Sequence, residues 1–445
     1  MSPHTSHRRR PRAKLVAAVS VTALAVVPLL ASAAAPAGAA AQARARHAVA
    51  HHATAHHATA HHATAHHLTA PHATAMARLA QHGAQRANAL RAADLTRIFG
   101  AGPTVVTSGL NNPRQLSLTA GDGALLVAEA GRGGPACTSG GPEGETCIGA
   151  TGSVTAVVAP QFARARTPLR VVQGLLSGAS PDGSGAVGPD GVSARTLAAI
   201  SIAETYAPLD VLPQGLPGEQ AGHLLRARAF GSAVPVADLA AYEAAHDPDG
   251  QGFDSNPYAA LVLPHRVLVT DAAANDVLAV DDAGRISTLA VLPQITDGAC
   301  AGQPNDGTAV GCDPVPTSLA VGPDGSVYVG GLGGEAPGAG RVWRLDPRTG
   351  AIEQTWTGLT TVTGVAVGRD GSLYVSELFG GSGPGVPGDL LRISTSGDRT
   401  AIPVPFPAGA AVDRFDNVYV SAFSIAPATG LGFPDSSGQV WRLRF

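Results

Sequence analysis

Pro316-Thr317-Ser318-Leu319-Ala320-Val321-Gly322-Pro323-Asp324-Gly325-Ser326-Val327-Tyr328-Val329, closed by Arg341-Val342-Trp343-Arg344-Leu345, is the clearest copy of a unit that the chain repeats. An apolar run leads into an Asp-Gly turn, a second run of β-formers follows, and a last run ends in Arg-Leu. Each Asp-Gly pair can supply the positive φ that a tight hairpin needs. The next copy reads Val365-Ala366-Val367, Asp370-Gly371-Ser372-Leu373-Tyr374-Val375 and Leu390-Leu391-Arg392-Ile393. Others carry Asp122-Gly123-Ala124-Leu125-Leu126-Val127, Arg266-Val267-Leu268-Val269, and Asp416-Asn417-Val418-Tyr419-Val420 with Gln439-Val440-Trp441-Arg442-Leu443. A degenerate copy around Gly188-Pro189-Asp190-Gly191 and residues 198–202 brings the number to six.

Four short strands per unit, tight turns and a spacing of about 45 residues where insertions are few are the marks of a propeller blade. The expected fold is all-β, a six-bladed β-propeller of NHL-like or TolB-like type, over residues 99–445. A β-sandwich is the competing arrangement, but it does not generate six copies of one unit. The ring should close on itself. The domain begins with an outer-strand sequence, Thr104-Val105-Val106, and ends with Val440-Trp441-Arg442-Leu443, so the first strand is expected to complete the last blade. Such a clasp removes an unpaired sheet edge.

Composition agrees. Of 445 residues, 55 are Gly and 34 are Pro, too many for a helical bundle, while 44% are hydrophobic, enough for a core. Charge is divided unevenly: residues 1–100 carry ten Arg and Lys14 against Asp94, whereas the remainder carries 19 Arg against 32 acids. An acidic body without lysine argues against a nucleic-acid partner, which requires basic clusters.

Ahead of the propeller, Arg8, Arg9, Arg10, Arg12 and Lys14 precede an apolar run from Leu15 to Leu30 and small residues to Ala41. This is the pattern of a secretory signal peptide, residues 1–41, and the run is shorter than the ~20 residues a bilayer span needs. Once it is cleaved, no integral span is expected, and the protein is secreted. Residues 42–98 form a low-complexity His/Ala/Thr-rich and Ala/Arg-rich linker, in which His51-His52-Ala53-Thr54-Ala55 begins a pentapeptide repeat. Paired imidazoles can bind transition metals, although such a tract is read first as a tether.

Strand directions sort the loops by face. Every long insertion (130–149, 203–221, 238–256, 293–313, 379–387 and 424–437) falls on one rim, and the turns of the other rim are tight. Long loops gathered on a rigid frame are where binding is expected. All four cysteines lie in these loops, and local pairing, Cys137 with Cys147 and Cys300 with Cys312, closes one loop each. Between residues 238 and 243, Asp238-Leu239-Ala240-Ala241-Tyr242-Glu243 reads as a short helix capped by Asp238.

The same directions place a polar ring at the channel mouth. Its expected members are Asn112, Arg114, Glu129, Arg132, Asn256, Asp271, Asn275, Thr317 and Glu377. Within it, Glu129, Asn256, Asp271 and Asn275 offer hard oxygen ligands for Ca²⁺; the same acids could instead cap turns or pair with Arg114 and Arg132. Only His223, His246 and His265 lie in the propeller, none beside a Gly-x-Ser-x-Gly elbow, which argues against a serine hydrolase.

Several phrases together resemble the ScyD/ScyE family of secreted propeller proteins. They are Gly109-Leu110-Asn111-Asn112-Pro113-Arg114, Val127-Ala128-Glu129-Ala130-Gly131-Arg132-Gly133-Gly134, Asp238-Leu239-Ala240-Ala241-Tyr242-Glu243, Asp254-Ser255-Asn256-Pro257-Tyr258 and Pro314-Val315-Pro316-Thr317-Ser318. The resemblance implies a propeller fold and export, and no defined activity. Two functional expectations follow. One is a binding or interaction module that meets an extracellular small molecule, glycan or protein through the long-loop face. The other is a metal-assisted hydrolase of lactonase or sugar-acid type with Ca²⁺ at the channel mouth.

Overall fold

Asp-Gly chemistry shapes the hairpins as expected: Gly325 has φ 83°, and Asp324 Oδ1 accepts from the Ser326 N–H at 3.1 Å. The computed structural model describes residues 103–445 except 142–143, 209–211, 306–308, 381–386, 428 and 432–435. The expected signal peptide and the His-rich linker lie outside the described residues.

Six antiparallel sheets follow one another along the chain. From the axis outward, blade I is Pro113–Leu118, Ala124–Glu129, Gly144–Val158 and Leu169–Ala179, with Ala136–Gly141 paired to the third strand as an extra hairpin. Blade II is Pro189–Thr196, Ala199–Glu204, His223–Ala227 and Val234–Asp238. Blade III is Pro257–Leu263, Arg266–Asp271, Asp276–Asp281 and Ile286–Val291, and blade IV is Pro316–Val321, Val327–Gly331, Gly340–Leu345 and Ile352–Leu359. Blade V is Val362–Val367, Leu373–Phe379, Pro387–Ile393 and Arg399–Pro403. Blade VI is Ala410–Val412, Val418–Ala422 and Gly438–Leu443, and its fourth strand is the N-terminal Thr104–Leu110. The clasp runs from Thr104 opposite Arg442 to Leu110 opposite Gly438.

Period-2 alternation explains the packing, since consecutive side chains leave a strand on opposite faces. Leu126 joins Val154 and Val172 against Val192, Ile202 and Leu225 of blade II, whereas Leu125 packs with Val106, Tyr419 and Val440 of blade VI. Both leucines are fully buried. Second strands are therefore apolar on both faces, and each buried leucine contributes about 1.5–3 kcal/mol. Outer strands such as Ile352–Leu359 are largely exposed.

Blade II corrects one detail of the sequence reading. Gly188-Pro189-Asp190-Gly191 looks like the hairpin Gly322-Pro323-Asp324-Gly325, yet it lies at the start of the innermost strand. Gly191 is required there for another reason: a Cβ would sit 2.5 Å from the Tyr258 carbonyl oxygen of blade III. The short helix is present as Leu239–His246, with Asp238 Oδ1 accepting from the Ala241 N–H at 2.9 Å. Both disulfides, Cys137–Cys147 and Cys300–Cys312, are formed. Among the described residues no helix is long and apolar enough to cross a membrane.

Candidate functional site

The long connections all leave second strands for third strands, or fourth strands for the next blade's first, so they emerge at one end of the ring. At that end, a residue at or near the end of a second strand faces the first residue of its innermost strand. Glu129 lies opposite Pro113, Glu204 opposite Pro189, Asp271 opposite Pro257 and Glu377 opposite Val362.

Three of these acids fasten the segment that leads into the innermost strand. Glu129 Oε2 accepts from the Asn111 N–H at 2.8 Å, Asp271 Oδ1 from the Asn256 N–H at 2.6 Å, and Glu377 Oε1 from the Thr360 N–H. Glu129 is then saturated, because Thr155 Oγ1 donates at 2.6 Å and Arg170 donates through Nε at 3.1 Å and Nη2 at 2.7 Å. Four donors fill the four lone-pair sites of a carboxylate. Asp271 accepts also from Ser255 Oγ at 2.6 Å and from the Ala273 and Ala274 N–H groups; burial pushes its carboxyl up from the ordinary value against these bonds.

Each member of the calcium set expected from the sequence already has protein partners. Glu129 has no lone pair left, and Asn256 spends Oδ1 on Thr205 Oγ1 at 2.7 Å, leaving only its Nδ2 donor unpartnered. Asn275 donates to Asp249 Oδ2 at 3.0 Å and accepts from the Val315 N–H at 3.3 Å. Asn112, also buried, donates to the Gly131 and Gly183 carbonyls at 2.9 and 2.8 Å. Thr317 Oγ1 donates to the Val362 carbonyl at 2.6 Å, tying blade IV to blade V.

At the axis, Arg114, Asp190 and Tyr258 stand second in the innermost strands of blades I, II and III. Arg114 Nε faces Asp190 Oδ1 at 3.2 Å, an ionic contact outside hydrogen-bond alignment, and its Nη2 donates to the Ala186 carbonyl. Burial pushes the Asp190 carboxyl up to about 7 despite that guanidinium. Glu204, with both oxygens unpartnered, is raised well above its ordinary value by burial and by Asp190. Beside them, Gln115 Nε2 crosses the axis to the carbonyls of Thr317 and Thr363, each at 2.7 Å. Arg114 is 2% exposed and Asp190, Glu204 and Asn112 are 0% exposed, so this cluster is sealed from solvent.

Open space lies over blade I instead. A cleft of about 470 Å³ is lined by Asn111, Arg132, Thr151, Ser153, Arg170 and Gln173, with glycines at its edges. Arg132 is exposed, and its guanidinium forms no ion pair among the described residues. Of the residues expected from the sequence, Arg132 alone lines this cleft. Thr151, Ser153, Arg170 and Gln173 were missed, because they come from third and fourth strands that carry no motif.

The described acids that gather within metal-ligand reach are Glu243, Asp247 and Asp249; Cys137, Glu145 and Cys147 also meet, but both sulfurs are in the disulfide. The sequence reading placed none of those three acids in a site, and Glu243 entered it only as part of the short helix. Their signal was Asp247-Pro248-Asp249-Gly250-Gln251-Gly252, acids two apart followed by glycines.

No protein-family profile and no curated protein sequence matches the chain. Among solved structures, a streptogramin B lyase is 12% identical, covering 77% of this chain and 97% of that one with a TM-score of 0.40. Virginiamycin B lyase from Staphylococcus aureus is 14% identical, covering 72% and 80% with a TM-score of 0.36. A luciferin-regenerating enzyme is 11% identical, covering 77% and 96% with a TM-score of 0.42. None of these likenesses carries a residue role to this chain; the six sheets and their closure establish the propeller.

Proposed function

We propose that the chain is a secreted, ScyD/ScyE-like binding propeller that holds a polar extracellular ligand on its long-loop face. The observation that carries this reading is the cleft over blade I, where the unpaired Arg132 guanidinium faces a wall of side-chain and backbone polar groups. The unpaired Arg132, with hydroxyl and amide groups around it, suits a hydroxylated, carboxylate-bearing small molecule or glycan, because guanidinium binds carboxylate through paired donors. The disulfide Cys137–Cys147 braces the neighbouring loop of the same blade. Export follows from the signal-peptide pattern and agrees with two formed disulfides.

The test is a thermal-shift and calorimetric screen against sugar acids and acidic oligosaccharides, run on the natural chain and on Arg132→Glu. A member that stabilises the natural protein and not the variant supports the cleft. Stabilisation that is equal in both, or absent throughout, removes it.

A second reading, a metal-assisted hydrolase of lactonase or sugar-acid type with Ca²⁺ at the channel mouth, draws on the Asp190 and Glu204 carboxyls, which lack hydrogen-bond partners and would have to open to solvent to meet a substrate. Lactone turnover that disappears with EDTA and in Asp190→Asn would replace the binding reading with this one.

A further inference from the structure

The helix Leu239–His246 and the loop behind it join blade II to blade III, and they carry Glu243, Asp247 and Asp249, which form no ion pair among the described residues. Carboxylate oxygens of Glu243, Asp247 and Asp249 all lie within 4.8 Å of one another. Oxygens bound to one Ca²⁺ at 2.3–2.6 Å are at most about 5 Å apart, so the spacing suits a shared ion. Glu243 is 1% exposed and both of its oxygens lack a hydrogen-bond partner.

A second group points the same way from a different element. Asp276, the first residue of blade III's third strand, is 0% exposed with both oxygens unpartnered. Its neighbours in the field are Asp271, Glu243 and Asp249, all of its own sign. Buried carboxylates are normally paired or bound to metal, since an uncompensated one is costly. The ion pairs among the described residues include none of these four acids. The carboxyls of Asp271, Asp249, Asp247 and Asp254 surround Glu243 with its own sign of charge, a repulsion that a cation would remove.

The loop is folded so as to present oxygens. Gly250 and Gly252 take φ of 74° and 93°, where a side chain would be strained, and the Gly252 N–H donates to Asp247 Oδ1 at 3.0 Å. Asn275 and Gln251 hold Asp249 Oδ2, each at 3.0 Å, and the Gln251 Oε1 atom is buried without a partner.

We propose that Glu243, Asp247 and Asp249, with Asp276 behind them, form a calcium site that fastens this helix and loop to blade III. The donors are oxygen throughout, with no thiolate or imidazole among them, which selects a hard cation. Ca²⁺ accepts six to eight oxygens in irregular geometry, whereas Mg²⁺ demands a near-ideal octahedron and keeps several waters. Extracellular calcium sites work at about 10⁻⁴–10⁻³ M, so an exported protein would carry the ion. The site is separate from the blade I cleft, and the failure of either reading leaves the other standing.

The experiment is a melting curve of the full chain in EDTA, in excess CaCl₂ and in equimolar MgCl₂, with calorimetry for stoichiometry. His-tract imidazoles are borderline ligands and do not compete for Ca²⁺. Ca²⁺ should raise the Tm by several degrees with one ion bound, and Mg²⁺ should do much less. Glu243→Gln should raise the Tm in EDTA, by removing buried repulsion, and lose the response to Ca²⁺. Should that variant fail to fold, Asp247→Asn at a half-buried position gives the same reading through loss of the response. The proposal is overturned by an unchanged wild-type Tm with no heat of binding, by an equal response to Mg²⁺, or by a Ca²⁺ response that persists in a folded variant.

Discussion

Glu129 shows how one position in the repeat serves the ring. Its carboxylate, 0% exposed, is accommodated in the interior because Asn111, Thr155 and Arg170 supply every hydrogen bond it can accept. Asp271 and Glu377 do the same service for blades III and V, so an acid at this place is first a brace for the segment leading into the innermost strand. Glu204 is the exception, since it has the position without the donors. Removing Arg170 should therefore strand a buried charge, a change that costs about 3 kcal/mol or more. The Arg170 side chain is 29% exposed, which places the cost at the lower end. We expect Arg170→Ala to lower the urea midpoint clearly, and Arg170→Met combined with Glu129→Gln to restore part of it. An Arg170→Ala midpoint equal to the natural protein's would mean that Glu129 does not depend on the pair.

Among the elements, the strands hold the frame, and disulfides close loops of the long-loop rim. Cys300 and Cys312 enclose a loop of the rim between blades III and IV, with Cys300 fully buried against Ile295 and Ala339. Closing a loop of this length stabilises a domain by about 2–4 kcal/mol, chiefly by restricting the unfolded chain. Replacing both cysteines by alanine should lower the denaturation midpoint accordingly, while the far-ultraviolet spectrum of the strands is kept; a variant as stable as the natural protein would show that the loop is pinned by packing alone. Hairpins and their Asp-Gly turns were legible because both are local, set by residues a few places apart. The rim was legible for the same reason, as strand direction sorts loops without any coordinates. The partners at the axis were not. Arg114 meets Asp190 of blade II, and Gln115 reaches Thr317 and Thr363 across the ring, contacts that only closure brings about. The degenerate blade II misled for a physical reason, since Gly-Pro-Asp-Gly serves a hairpin in one blade and a close strand approach in another.

Across the whole molecule, closure does two things at once: it pairs Thr104–Leu110 with Gly438–Leu443, and it carries acids from several blades into the dry interior. Burial pushes Asp190 and Glu377 up to about 7 and Asp389 to about 6, the last two facing each other across blade V. Glu204 is raised further. In the unfolded chain these groups return to ordinary values, near about 4. Below that, both states are protonated and the groups contribute nothing. Between about 4 and 7 the native protein keeps protons that the unfolded chain releases, so rising pH favours unfolding. The surface aspartates whose carboxyls are held low, Asp281, Asp324, Asp346 and Asp370, act in the opposite direction but only below their ordinary value of 3.8. Stability measured in EDTA should accordingly fall from about pH 5 to about pH 8, and the slope should be shallower in Asp190→Asn, which carries no titrating group at the Arg114 contact. Urea midpoints across that range decide it. A midpoint that holds level or climbs would mean that these carboxyls are charged in the native ring, with Arg114 compensating Asp190 and Glu204 together.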